Sequence, residues 1–195
     1  MRSGPAGTQG HRAAMAQEGD SFSTLLAAMA VYPIRTFPDP VLRIEAATVE
    51  AFDADLSRLV EDMLETMYEA PGVGLAAPQI GVSKRVFVAD IGEGPIAMVN
   101  PEIVETSGRW KFEEGCLSVP GRFWQINRPG YARATGFDLD GQRVEYEGDE
   151  LMGRVLQHET DHLTGVLLLE HLARRTKRQV LKELREEALG IHRAT

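Results

Sequence analysis

Apolar positions recur along the chain with two different periods. Between Asp53 and Pro71, Leu56, Leu59, Val60, Met63, Leu64 and Met67 fall three and four residues apart, which predicts an amphipathic helix. Asp53 is placed to cap its first turn, and Pro71-Gly72 to stop it. The apolar run from Arg85 to Asp90 predicts a strand. Ile96 to Val104 predicts another, interrupted at Pro101, because proline has no N–H to give a ladder. From Ala132 to Glu147 the pattern is that of a hairpin turning at Asp140-Gly141. A second helix is expected from Asp149 to just before Gly165, and a third from about Arg174 to Leu189. Helix, then strands, then helix argues for an α+β fold rather than a doubly wound parallel sheet. Antiparallel or mixed sheets are expected, with no internal repeat.

Residues 1–28 are rich in Gly, Ala and Ser and carry no sustained apolar period, so they are expected to be a disordered extension. Met15 and Met29 also leave room for a start placed too early. Residues 29–195 are expected to be one folded domain. The apolar run Leu25 to Val31 is short for a secretory leader, and Glu18 and Asp20 stand where positive charge belongs. Arg2 and Arg12 would suit an organelle transit peptide, but the same two acids spoil that pattern. No stretch is long and apolar enough for a membrane helix.

Composition narrows the function classes. The 195 residues are 43% hydrophobic and 26% charged, ordinary values for a globular domain with a real core. With 21 basic and 29 acidic residues the net charge is −8, which argues against a DNA partner, since phosphate neutralisation needs a basic surface. The single cysteine, Cys116, forbids an intrachain disulfide. It is buried packing, a nucleophile or a metal ligand.

His158-Glu159-Thr160-Asp161-His162 carries the most chemistry. On a helix, residues four apart share a face, so both imidazoles can reach one cation. Leu151 and Val155 continue that stripe and are expected to carry it into the core. Glu159 sits about 100° around the helix from His158, poorly placed as a ligand but well placed to take a proton from water held by the cation. Two histidines are too few, because a catalytic metal normally has three protein ligands and one open position. A zincin-type metallopeptidase would take its third ligand downstream, where Glu170 and His171 lie, but its longer motif is absent. Upstream, Cys116 in Glu114-Gly115-Cys116-Leu117-Ser118 offers a thiolate, and Gly115 allows close backbone approach. A lone cysteine is also commonly a small buried hydrophobe.

These residues together resemble the peptide deformylase family. Three stretches carry the likeness: Gly72-Val73-Gly74-Leu75-Ala76-Ala77-Pro78-Gln79-Ile80-Gly81, Glu114-Gly115-Cys116-Leu117-Ser118, and Gln157-His158-Glu159-Thr160-Asp161-His162-Leu163. The first could be mistaken for a dinucleotide-binding loop, but it lacks the third glycine and follows a helix. The resemblance spans roughly Val31 to Leu172. It implies α+β sheets packed around a central helix that carries the HExxH motif, between an N-terminal and a C-terminal helix. It implies Cys116, His158 and His162 as metal ligands, with Fe(2+) as the preferred ion and Ni, Co or Zn as substitutes. Glu159 would be the general base and acid; Gln79 and the Leu117 N–H would hold the oxyanion; and Val73 and Gly74 would pair with the substrate backbone. The substrates implied are N-formyl-methionyl nascent polypeptides, processed by a cytoplasmic, monomeric bacterial enzyme with no membrane partner.

The resemblance also pairs Arg128 with Asp161, against a surface role for each. Near Gly121-Arg122-Phe123-Trp124 the chain departs from some relatives. There Arg122 is a candidate to steer substrate beside an apolar wall of Phe123 and Trp124, against ordinary packing. The basic residues of the last helix, Arg174 to Arg185, fit either ribosome contact or a solvated face. Two other functions remain: a metallopeptidase that does not need Cys116, and a catalytically silent relative that binds formylated chains.

Overall fold

Asp53 opens the first helix as the spacing predicts: in the computed structural model, which describes residues 30–190, its side chain accepts a hydrogen bond from the Leu56 N–H at 3.0 Å. The expectations for residues 1–28 lie outside the described residues. Helix α1 (Ala54–Glu69) ends where Gly72 N–H bonds back to the Met67 carbonyl. Strands β1 (Gly74–Ala76), β2 (Val86–Ala89) and β3 (Ile96–Ser107) follow. Next come β4 (Trp110–Gly115), β5 (Phe123–Arg128), β6 (Tyr131–Phe137) and β7 (Arg143–Asp149). Helices α2 (Glu150–Leu163) and α3 (Arg174–Ala188) complete the fold.

The strands form a five-stranded sheet in the order β1-β2-β3-β6-β7 and a separate β4-β5 ribbon, and every ladder is antiparallel. The larger sheet is covered on both faces. Val86, Val88, Val99 and Leu75 pack with Val60, Met63 and Met67 of α1. The alternate positions Phe87, Ala89, Met98 and Ala76 pack with Val155, Leu156 and Leu163 of α2. Period-two alternation in β2 thus feeds two cores, which is why Val86–Ala89 reads as an unbroken apolar run. Burying side chains the size of Phe87 or Met98 contributes about 1.5–3 kcal/mol each.

Pro101 does not end its strand. β3 runs on to Ser107, and the register slips between Val99 and Glu102, with Asn100 at φ 51°, so the missing N–H falls in an irregularity. The hairpin turns at Asp140-Gly141 as expected, braced by Asp138, whose carboxylate accepts from the N–H groups of Asp140 and Gln142. Asp149 precedes α2 but its side chain makes no capping bond. Gly165 follows the C-terminus of that helix at φ 73°, where a Cβ would lie 2.6 Å from the Arg43 carbonyl oxygen. Leu151 departs from expectation: it is exposed at the rim of a cavity rather than carried into the core. Helix α3 docks through Val180 and Leu184 against Val119 and Leu169.

Candidate metal centre

Helix α2 brings His158 and His162 one turn apart, with their Nε2 atoms 3.2 Å from each other. Cys116, the first residue after β4, places Sγ 3.2 Å from His162 Nε2, and the three donor atoms all lie within 4.8 Å of one another. A tetrahedral cation with bonds of about 2.1–2.3 Å needs ligand atoms about 3.5 Å apart, and the two 3.2 Å spacings lie near that demand. Burial pushes the Cys116 thiol up, but the charge and hydrogen bonds of His162 and His158 outweigh it and hold the thiol well below its ordinary value. The sulfur is thereby disposed to act as a thiolate ligand. The residues fit a divalent transition-metal ion.

A carboxylate behind the cluster orients it. Glu114 Oε1 lies 2.7 Å from His158 Nδ1, which fixes that nitrogen as the donor and leaves Nε2 to face the other ligands. Glu114 is itself gripped by a fork from Arg128, whose Nε and Nη2 donate at 3.1 and 2.9 Å, and by Arg154 Nη1. Although burial raises its pKa, hydrogen bonds from His158 and Arg128 hold the Glu114 carboxyl far below the usual carboxylate range. Arg128 also donates to Asp161 Oδ2 at 2.8 Å, so the pairing expected from the resemblance is present, with His171 on the same oxygen at 2.7 Å. Sequence reasoning quoted Glu114 without giving it a role and passed over Arg154. The one signal for Arg154 was its position four residues before His158, on the same helix face.

Glu159 is 3% exposed, with Oε2 buried and without a hydrogen-bond partner. Burial is the main cause that pushes its carboxyl up, to about 7, against the lowering influence of His158 and His162. A Cβ on Gly74 would stand 2.3 Å from Glu159 Oε1, so only glycine lets β1 pass so close to that carboxylate. Gln79, in the 3-10 turn Ala77–Ile80, is aimed by its own backbone neighbour: Oε1 accepts from Ala76 N–H at 2.8 Å. Its Nε2 then lies 3.2 Å from Ser118 Oγ and 3.8 Å from Cys116 Sγ. An unpredicted strap secures both sides of this arrangement. Arg35 N–H donates to the Gln79 carbonyl at 2.7 Å, and Phe37 N–H to the Ser118 carbonyl at 2.9 Å.

A cavity of ≈ 540 Å³ opens onto the cluster, with Cys116, His158, Glu159, Gln79, Val73 and Gly74 in its wall. Leu117 lines it too, so all eight residues singled out from the sequence converge here except His162, which is buried behind the cluster at 1% exposure. β1 is an edge strand, and Val73 just before it is half-exposed, its carbonyl accepting from Asp90 N–H at 3.0 Å. Arg122 and Phe123 lie on the cavity rim. Trp124 does not; it packs inward beside Cys116, Ile126 and Leu168. The downstream candidates for a third ligand are elsewhere, with His171 on Asp161 and Glu170 between Arg43 and Lys177.

Known proteins are similar to this chain in sequence and in fold. The family model described as polypeptide deformylase matches residues 31–178. The peptide deformylase of Clostridium botulinum is 47% identical over 147 residues, 75% of this chain and 100% of that protein. A crystal structure of a peptide deformylase from Legionella pneumophila superposes with a TM-score of 0.77 at 41% identity, covering 85% of this chain and 100% of that one. A class I type b peptide deformylase from Acinetobacter baumannii, crystallised with Met-Ala-Ser bound, superposes with a TM-score of 0.70 at 35% identity, covering 74% of this chain and 99% of that one.

Proposed function

Since the chain belongs to the polypeptide deformylase family, we propose that the cluster of Cys116, His158 and His162, with Glu159 beside it, is the machinery by which it works. The chain is a hydrolase that removes the formyl group from the N terminus of newly made polypeptides. The family is metal-dependent, and one sulfur with two imidazole nitrogens accepts several divalent ions; ferrous iron is the ion we assign, with Ni, Co or Zn as substitutes. When bound, the cation supplies Lewis acidity, polarising the formyl carbonyl and bringing the pKa of water from about 15.7 towards 7.

Glu159 accepts a proton from the attacking water, a task suited to a carboxyl at about 7. As the water oxygen bonds to the formyl carbon, charge develops on the carbonyl oxygen. Gln79 Nε2 and the Leu117 N–H donate to it, each worth about 3 kcal/mol on an oxyanion-hole scale. Glu159 then passes the proton to the methionine nitrogen as the C–N bond breaks, leaving formate and a free amine. Val73 and Gly74 hold the peptide main chain as an added strand along the free edge of β1. Met-Ala-Ser in the Acinetobacter baumannii relative supports a short peptide as the occupant.

The unpartnered, buried carboxylate of Glu159 against a three-donor cluster is the observation that carries this reading. Formate release from formyl-Met-Ala-Ser, measured without oxygen after ferrous loading, tests it. Wild type releases formate, and Glu159→Gln retains metal and loses the activity by about 10²–10⁴-fold. Metal-loaded, folded wild type that releases none would overturn it.

The reading extends to the setting. We place the work in the bacterial cytoplasm, by a monomer whose catalytic domain is residues 29–195. No helix among the described residues is long and apolar enough to cross a membrane. Arg174, Lys177, Arg178, Lys182 and Arg185 line one groove along α3, which supports ribosome contact through that helix. Salt-sensitive co-sedimentation with ribosomes is the expected result, and none at low salt would end that assignment.

A further inference from the structure

We propose that α3 sets the charge preference of the peptide cleft by masking Arg122 with Glu183 and Glu187. The proposal rests on the deformylase reading and names a determinant for substrate residues downstream of the methionine.

Arg122 shares the cavity wall with Cys116 and Glu159, so a peptide whose formyl end is at the cluster runs past the Arg122 rim. Its guanidinium is already committed. Nη1 donates to Glu183 Oε2 at 2.9 Å, and Nη2 pairs with Glu187. The two glutamates are four apart on α3, so they present one face to the rim. Glu183 is further steadied by Gln179 Nε2 on its other oxygen at 3.0 Å. The helix that carries them is anchored to the same loop, because Val180 and Leu184 pack against Val119, three residues before Arg122.

The consequence is a reversal of local charge. Alone, Arg122 would favour acidic residues in the passing peptide. With two carboxylates on it, and Glu113 also in the cavity wall, the rim carries more negative than positive charge. The cations of α3 do not offset this, since Arg174, Lys177, Arg178, Lys182 and Arg185 line a separate groove. Arg122 is therefore not the free steering cation that its sequence position suggested. It is a charge-neutralised rim residue, and basic peptides are the ones the cleft accepts with less cost.

The test compares formyl-Met-Ala-Xaa-Ala peptides, with Xaa as Asp, Ala or Lys, and the same series with the charge one residue earlier. The iron-loaded enzyme is used throughout. In Glu183→Gln/Glu187→Gln the amides keep hydrogen-bond acceptors but lose the charge. KM for the Asp peptide is expected to fall about two- to five-fold and KM for the Lys peptide to rise by a similar factor, with kcat unchanged. The shift is expected to fade at high salt and to shrink to about half when Arg122→Ala is added, because that change takes back one of the two units of charge gained. An unchanged Asp-to-Lys ratio, a shift as large without Arg122 as with it, or an equal loss on all three peptides would each overturn the proposal. Formate release from the uncharged Ala peptide by wild type separates that result from failure of the deformylase reading itself.

Discussion

Burial leaves Glu159 Oε2 with no partner and brings its carboxyl to about 7, from an ordinary value of 4.5. A carboxyl raised on folding binds its proton more tightly in the native than in the unfolded state. Native stability therefore falls as pH rises from 4.5 through 7 and stays low above that. At about 1.4 kcal/mol per unit, ionised Glu159 costs the metal-free fold on the order of 3 kcal/mol. Glu159→Gln is expected to stabilise the metal-free chain by that order at pH 8 in urea melts, with the gain absent at pH 4. Under the proposed mechanism the same change is expected to lower turnover by about 10²–10⁴-fold, so stability and activity oppose each other at this residue. Gly74 gives a second outcome at this scale. Gly74→Ala puts a Cβ 2.3 Å from Glu159 Oε1, and the carboxylate or β1 must move. A loss of about 10²-fold in kcat/KM is expected at undiminished metal content, measured as formate release beside metal analysis. Both residues stood out in the sequence through their motifs. What the motif did not display was the contact between them, which joins positions far apart in the chain.

The elements meet through one buried carboxylate. Glu114 of β4 receives Arg128 of β5 and Arg154 and His158 of α2, so two arginines and a histidine of the cluster depend on it. Its carboxyl is held far below the usual range on folding, so the stability it contributes is present above about pH 4.5 and is lost only as pH falls well beneath that. Glu114→Gln leaves Arg154 buried without its counter-charge and Arg128 with Asp161 alone. A loss of about 3–5 kcal/mol at pH 7 is expected from denaturant melts, with the gap to wild type closing only in strong acid. Competition with a chelator is expected to show metal affinity lower by about 10–100-fold, because His158 Nδ1 loses its anionic acceptor. The ribbon that carries this residue was not legible beforehand. Trp110-Lys111-Phe112-Glu113 and Trp124-Gln125-Ile126-Asn127 do alternate, but over four positions each, and Phe112 and Phe123 stay exposed, so the pattern marks no buried face. Helices α1 and α2 and strand β2 were legible because each buries a full apolar face.

At the scale of the molecule, the segment from Ala30 to Phe37 ties the first helix to the metal centre. Ala30 N–H donates to Asp62 Oδ1 at 2.8 Å and Tyr32 N–H to Thr66 Oγ1 at 3.0 Å, both on α1. Further along, Arg35 and Phe37 donate backbone N–H groups to the carbonyls of Gln79 and Ser118, on either side of the cleft floor. Little of this shows in the sequence, because the segment works through its own main-chain N–H groups, and any residue but proline supplies one. The contacts separate two truncations that look alike on paper. A chain beginning at Met29 keeps all four bonds and is expected to match the full chain in melting temperature and in formate release. A chain beginning at Asp39 loses them and leaves the Gln79 and Ser118 carbonyls without those donors. Each lost bond to a buried carbonyl costs about 1–3 kcal/mol. Because Gln79, the proposed oxyanion donor, is held from this backbone, kcat is expected to fall more than the stability loss alone would account for. Equal activity from both truncations, at a temperature where both are folded, would show that the strap stabilises the fold without positioning Gln79.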